Sequence, residues 1–404
     1  MTLDLEAIYI DLHQNPELSF QETRTAGVVA SHLSDLAIEH ETGIGQTGIV
    51  AVIRNGDGPV VWLRADMDGL PVPEQTGLEY ASTARGVDPE GTDVPVMHAC
   101  GHDMHVTALL GALEQLQATT DQWSGTVVAV FQPAEEYGAG AHAMIADGVL
   151  SRFPQPTIVL GQHLTALPAG TIGVRSGAQM AASDGLHVTL HGRGGHGSRP
   201  DTTIDPVVMA AATVMRLQTI VSRETDPREM AVVTVGSMHA GLKNNIIPAT
   251  ATLDLSLRYP DEPAREAVMA KVERIIKAEA LASGATDEPT IEVLHTLPPT
   301  INDVEATERL IFAWEKSFGE DSVMDPGMFA GSEDVSWFAT EAGVPLVYWF
   351  WGGIEPEQFA AAVAAGTVEA DIPSNHSPFF APILHPTIER GVDALVVAAR
   401  EFLD

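Results

Sequence analysis

Two kinds of hydrophobic spacing alternate along this chain. Residues 1–40 place apolar side chains at helical intervals in two amphipathic stretches, joined by the polar junction D-L-H-Q-N-P-E-L-S-F. From Gly48 the pattern shortens to apolar runs: I-V-A-V-I-R, V-V-W-L-R-A-D, T-V-V-A-V-F, T-I-V-L-G and, late in the chain, P-L-V-Y-W-F. Runs of this kind read as strands buried on both faces. Helical stretches at 104–118 and 141–149 separate several of them, which predicts a mostly parallel sheet covered on both sides.

Between residues 181 and 294 the order changes to strand (186–193), helix (205–223), strand (231–238), strand (250–258), helix (263–282), strand (290–294). This β-α-β-β-α-β order is a complete ferredoxin-like unit, and Asp205-Pro206 supplies an N-cap and a first-turn proline for its first helix. It is read as a domain inserted into the other. The expected division is 1–180 and 296–404 for the two parts of an α/β domain, with 181–295 inserted. The second part resumes with a helix at 306–318, the strand P-L-V-Y-W-F and a helix at 388–403.

Composition narrows the function. A 404-residue chain with 45% apolar content is too long for one simple core. Its 55 acidic against 21 basic residues give a net charge of −34, which excludes nucleic acid and anionic membrane as partners. The start, M-T-L-D-L-E-A-I-Y-I, lacks a basic and apolar leader pattern, and no stretch approaches the about 20 continuous apolar residues of a membrane span. A soluble, cytoplasmic protein is expected, and one cysteine permits no internal disulfide.

That cysteine stands in M-H-A-C-G-H-D-M-H, from Met97, among three histidines. Residues two apart in an extended segment point the same way, so Cys100 and His102 can aim at one point while Gly101 turns the backbone. Asp103 is expected to cap the helix that follows, whose dipole favours a thiolate. A lone cysteine is ordinarily a small buried hydrophobe; three neighbouring histidines favour metal binding or catalysis instead. Asp66, Asp68, Glu135, Glu136 and His163 all fall just past or near the ends of predicted strands, the edge where open α/β sheets bind ligands. Glu135 and Glu136 are adjacent and cannot point the same way, so one suits a ligand and the other a base. His13 and Glu17 are read as structural.

Nine ordered motifs together resemble the M20 family of metallopeptidases, in the amidohydrolase branch of N-acyl-amino-acid, hippurate and auxin-conjugate hydrolases. They are L-H-Q-N-P-E-L-S-F-Q-E-T from Leu12, R-A-D-M-D-G-L-P-V-P-E from Arg64, M-H-A-C-G-H-D-M-H, F-Q-P-A-E-E from Phe131, G-Q-H from Gly161, G-G-H-G-S-R-P from Gly194, N-I-I-P from Asn245, G-S-E-D from Gly331 and N-H-S-P-F-F from Asn375. The resemblance implies a zinc-peptidase-like catalytic domain whose inserted domain serves as lid and dimerisation unit. Cys100, His102, Glu136, His163 and His376 would hold two divalent ions, zinc first by donor type, with manganese, cobalt or nickel accepted by related enzymes. Glu135 would be the general acid/base, with Asp68 behind the ligands. His196 and Asn245 would reach the scissile carbonyl and the substrate carboxylate, His196 from the partner subunit of a homodimer, and Arg258 would lie near that carboxylate. After the last ligand this chain reads A-P-I-L-H-P from Ala381, where relatives often carry an Asp-Glu pair.

The implied reaction is hydrolysis of an N-acyl-amino acid by water activated between ions roughly 3.5–4 Å apart. Three alternatives stand beside it: an M20-type dipeptidase or carboxypeptidase, a thiol hydrolase with Cys100 as nucleophile and His102 or His105 as base, and a metal-free binding relative.

Overall fold

The computed structural model describes residues 2–404. In chain order, α1 (Leu5–Gln14) and α2 (Thr23–Asp35) precede β1 (Glu39–Ile44), β2 (Gly48–Asn55) and β3 (Val60–Asp66). Then come α3 (His102–Ala118), β4 (Gly125–Gln132), β5 (Ile158–Pro168) and the short β6 (Ile172–Gly173). Next follow β7 (Ala182–His191), α4 (Pro206–Thr219), β8 (Val232–Ala240), β9 (Thr250–Tyr259), α5 (Glu262–Ala282) and β10 (Thr290–Leu297). The chain finishes with α6 (Val304–Phe318), β11 (Val323–Met324), β12 (Leu346–Ile354) and α7 (Thr387–Phe402). Two compact units result: one built from residues up to Gln179 with Ile301–Gly327 and Asp334–Asp404, the other from Met180–Thr300 with Met328–Glu333.

The first unit carries an eight-stranded sheet in the order β1-β2-β4-β3-β5-β12-β6-β11. Its centre, β4-β3-β5-β12, is parallel, and antiparallel pairs flank it. The sheet is therefore mostly parallel, as the apolar runs require: β12, L-V-Y-W-F-W-G-G-I, is buried at every position. On one face α3 packs against α7 at close range because each presents a glycine there. A Cβ on Gly111 would meet Val392 Cγ2 at 2.6 Å, and one on Gly391 would meet Ala108 Cβ at 3.1 Å. The buried indoles keep their N–H groups satisfied: Trp314 donates to Ala394 O at 3.1 Å and Trp349 to Gln162 Oε1 at 3.0 Å.

The second unit is a four-stranded antiparallel sheet in the order β8-β9-β7-β10, the arrangement of a ferredoxin-like fold. Along β9 burial alternates strictly, sending Leu253, Leu255 and Leu257 into a core with α4 and α5. Asp205 caps α4 by accepting from Val207 N, with Pro206 in its first turn, and Asp261 caps α5 through Ala264 N.

Three local differences from the hydrophobic pattern have physical causes. The polar E-H-E-T-G-I forms β1, an exposed edge strand made by pairing with β2 rather than by its own composition. The helix expected at 141–149 divides into Gly140–Ala146 and Val149–Arg152, because Gly148 is left-handed at φ +85°. The helix expected to reach 223 ends at Thr219 and continues as a wider turn over Ile220–Glu224. No helix among the described residues is long and apolar enough to cross a membrane.

Candidate metal centre

The parallel strands deliver their chemistry at one edge of the first sheet. β4 ends at Gln132, and the next four residues are Pro133, Ala134, Glu135 and Glu136; β5 carries His163; His102 opens α3. Gly101 makes the turn that separates Cys100 from His102. It is left-handed at φ +84°, and a Cβ there would lie 2.9 Å from Leu164 Cδ2. His376 reaches the same place from a loop, itself left-handed at φ +68°, with its N–H donated to Ala99 O at 2.8 Å. The Asn375 amide donates to Cys100 O at 3.1 Å and Leu164 O at 3.0 Å. Those bonds support the His376 loop locally.

Six expected residues come together. Cys100 Sγ lies 3.4 Å from His163 Nε2, and His376 Nε2 lies 3.4 Å from Glu136 Oε2. His102 Nε2 faces Glu135 Oε2 at 3.8 Å and Glu136 Oε1 at 3.9 Å. Among the described residues, five groups of donors have atoms mutually within 4.8 Å, and three of them consist of expected residues alone: Cys100 with His102 and His163, Cys100 with Glu136 and His376, and His102 with Glu135 and Glu136; the other two bring in Asp66 with His102 and His105, and Asp66 with Glu135 and Glu333. Of these three groups Cys100, His102 and Glu136 each belong to two, an arrangement suited to two neighbouring cations.

The donors are also prepared for metal. His163 Nδ1 donates to Leu164 O at 2.6 Å, and His102 Nδ1 to Asp68 Oδ1 at 3.2 Å, so both rings turn their Nε2 lone pairs into the site. His102 Nε2 and Glu136 Oε1 are buried and have no hydrogen-bond partner among the described residues. Buried acceptors are rarely left so, and a cation satisfies both. Without one, carboxylates crowd together. Burial, reinforced by Asp68 and Asp66 against the pull of His102, pushes the Glu136 carboxyl up to about 8. Burial opposes a charge on His102 too, but Asp66, Asp68 and Glu136 outweigh it and hold that imidazole at about 10.

Behind the donors lies a buried carboxylate layer. Asp68 accepts from Ser19 Oγ at 2.6 Å and from the backbone N–H groups of Glu135 and Glu136, each at 3.1 Å. Asp66 is gripped by Arg64 and His105. Leu164 N–H donates to His105 Nε2 at 2.8 Å, so the His105 proton sits on Nδ1, facing Asp66. Both ring nitrogens are thereby committed, and His105 serves as neither ligand nor base. Asp103 does not cap α3: the N-cap is Gly101, while Asp103 is buried and pairs with His13 Nδ1 at 2.7 Å. Glu17 accepts from Arg24 N and Thr25 N and so caps α2.

Sequence reasoning missed Arg64, Ser19, Asn375, Glu22 and Asp334 as parts of this layer. Arg64 carried a signal, being a charge inside an apolar run; it reaches Gln132 Oε1 at 2.9 Å and Asp334 Oδ1 at 3.1 Å.

The other three expected residues belong to the second unit. Gly195–His196 pairs with Ile246–Ile247, and Gly197 N donates to Asn245 O at 2.9 Å, which makes His196 and Asn245 neighbours. Ser198 N–H donates to His196 Nδ1 at 3.1 Å, so this exposed ring carries its proton on Nε2. Arg258, near the end of β9, donates to Ala330 O and Ser332 Oγ, both at 2.9 Å.

Residues 62–377 match the model of peptidase family M20/M25/M40. The chain belongs to this family. A hippurate hydrolase of Campylobacter jejuni is 39% identical over 321 residues, covering 78% of this chain and 80% of that protein. Thermostable carboxypeptidase 2 of Saccharolobus solfataricus is 37% identical over 346 residues, 84% of each. A Bacillus subtilis dinuclear metal binding peptidase from the M20 family superposes with a TM-score of 0.78 at 28% identity, covering 98% of each chain. With this membership and this donor set, the protein is a metal-dependent amidohydrolase of the M20 family.

Proposed function

We propose that this enzyme hydrolyses the amide bond of N-acyl-amino acids, releasing a carboxylic acid and a free amino acid, as a cytoplasmic homodimer with two zinc ions per chain. The observation that supports the reading is that Glu135 Oε2 stands 3.8 Å from His102 Nε2, at the edge of the set Cys100, His102, Glu136, His163 and His376, within reach of a water held there. Thiolate with imidazole is a donor set suited to zinc, and a reduced thiol suits the cytoplasm. Held by those five residues, the ions would supply the charge that polarises the amide carbonyl and acidifies water. Glu135 as carboxylate takes the proton from the attacking water, and as carboxylic acid returns it to the leaving amine. Asp68 holds the backbone of both glutamates, so Glu135 keeps its aim while its proton comes and goes. His196, with its proton on Nε2, is a ready donor to the oxyanion, and we assign it that role across the dimer. Asn245 and Arg258 are assigned to the substrate carboxylate, where the Arg258 guanidinium offsets the acidity of the chain as a whole.

The name of the Saccharolobus relative favours one second reading, a carboxypeptidase acting on peptides. One experiment addresses both. The zinc-loaded enzyme is assayed on N-acetyl-, N-benzoyl- and long-chain-acyl amino acids beside unblocked dipeptides, with Glu135→Gln and Glu136→Gln alongside. Expected are faster turnover of acylated substrates, a loss of about 10²–10⁴-fold in Glu135→Gln with metal retained, and loss of metal in Glu136→Gln. Preference for unblocked dipeptides would establish the peptidase reading, and metal loss in Glu135→Gln alone would exchange the two glutamates' roles.

A further inference from the structure

Glu22 occupies the N-cap position of α2, where a carboxylate ordinarily serves the first N–H groups of its own helix. It makes no such bond here. Glu17 does that work, accepting from Arg24 N at 2.9 Å and Thr25 N at 2.8 Å, and the Glu22 side chain turns inward to full burial. There Glu22 Oε1 accepts from Ala134 N at 2.8 Å and Phe20 N at 2.9 Å, and Oε2 accepts from Thr47 Oγ1 at 2.5 Å. Ala134 immediately precedes Glu135 and is left-handed at φ +49°, a conformation an alanine leaves unless it is held.

The turn around it is tight. Ala134 O accepts from Ala139 N at 3.2 Å and Gly140 N at 3.1 Å, Glu135 O accepts from Gly138 N at 2.6 Å, and a Cβ on Gly140 would stand 1.6 Å from Pro133 O. Three successive N–H groups of this turn are thus fixed by two buried carboxylates. Asp68 takes those of Glu135 and Glu136, and Glu22 takes that of Ala134. Without Glu22 the Ala134 N–H loses its acceptor, and the strained residue is held only through its carbonyl and the neighbouring N–H groups on Asp68.

We propose that Glu22 is a positioning residue for Glu135: its carboxylate clamps Ala134 in the left-handed conformation that aims the Glu135 side chain. The proposal rests on the reading of Glu135 as general acid/base. A base displaced by a fraction of an ångström still lies beside bound substrate but transfers protons poorly, so the signature is a fall in kcat at nearly constant KM.

The test compares Glu22→Gln, Glu22→Leu and Glu22→Asp in the full-length enzyme. Gln keeps an acceptor at Oε1 for Ala134 N–H. Leu fills the volume without accepting, and Asp keeps the charge but falls one methylene short. Metal content, kcat, KM and hydrogen exchange over residues 133–140 are measured, the exchange also in chelator-treated protein. Expected are faster exchange over 133–140 and a kcat on the order of 10- to 100-fold lower in Leu and Asp, with both metals present and KM within about threefold, and near-wild-type behaviour in Gln. Should Leu fail to fold, the Asp and Gln arms carry the comparison. Wild-type exchange and kcat in Asp or Leu would overturn the proposal, as would a kcat loss that merely follows lost metal or is as deep in Gln as in Asp. Exchange over 133–140 does not depend on what Glu135 does. Loosening there, alongside an active Glu135→Gln, would therefore remove the base assignment while leaving the clamp in place.

Discussion

His13 has both ring nitrogens committed to carboxylates, Asp103 at 2.7 Å and Glu74 at 3.2 Å, in a site that buries it almost completely. Burial disfavours its charge, yet the two partners win and hold its pKa at about 9. The folded value lies above the unfolded one, so the stabilisation is complete below about pH 6.5 and is lost as pH rises through about 9. The stability difference between wild type and His13→Gln, both metal-loaded, should therefore shrink by about 3 kcal/mol across that interval, at ~1.4 kcal/mol per pKa unit. Denaturant titrations at several pH values measure it; a difference that stays constant would show that His13 is neutral. The same comparison shows why histidine roles were only partly legible. That Cys100, His102, Glu135, Glu136, His163 and His376 lie together could be read from motifs, since most of them sit at strand ends and helix starts. What separates His102 from His105 is a single backbone N–H, that of Leu164, donated from a strand some sixty residues away in sequence. No local pattern encodes it, and the same holds for Glu22, which takes the distant Ala134 N–H, and for Asp334, which takes the Arg64 and Gln132 side chains and the Ala141 N–H.

At the scale of elements, the start of α3 concentrates the most constraint in the fewest residues. Gly101 must be left-handed and must leave room for Leu164 Cδ2, which a Cβ would approach to 2.9 Å. Gly101→Ala is expected to destabilise the protein by about 2–4 kcal/mol, combining left-handed strain with overpacking, and to reduce metal retention because Cys100 and His102 splay apart. Unfolding free energy and metal content after gel filtration give the answer; wild-type values in both would mean that the turn is not what joins these ligands. The central strands were legible because both faces are buried and the sequence says so in unbroken apolar runs. β1 was not, since an edge strand with an exposed face needs only a partner. Nor was the pair of helices at Pro356–Ala365 and Val368–Asp371, although Glu355-Pro356 marks a helix start.

For the molecule as a whole, the assignment of His196 has a quantitative consequence. Glu135→Gln and His196→Ala are each expected to be inactive, and mixing them under conditions that exchange subunits tests where the histidine acts. If it serves the partner's site, half the dimers are mixed and each holds one intact site, so about a quarter of wild-type activity returns. If it serves its own chain, every site keeps a lesion and none returns. The inserted unit was legible from strand and helix order alone, whereas the short segment Met328–Glu333 that joins it carries no periodicity to announce it. The placement of β12 has a further consequence, for biosynthesis. This strand lies between β5 and β6 in the finished sheet, yet it leaves the ribosome after the whole of Met180–Thr300, a segment with a core of its own. Until it arrives, β5 offers a bare apolar edge to any passing strand, the exposure that nascent-chain chaperones answer. The proposed ligand set is later still, since Cys100 waits for His376. Synthesis must therefore run past His376 before all five proposed ligands exist together, and metal bound by the full set would report that the chain has been made at least that far.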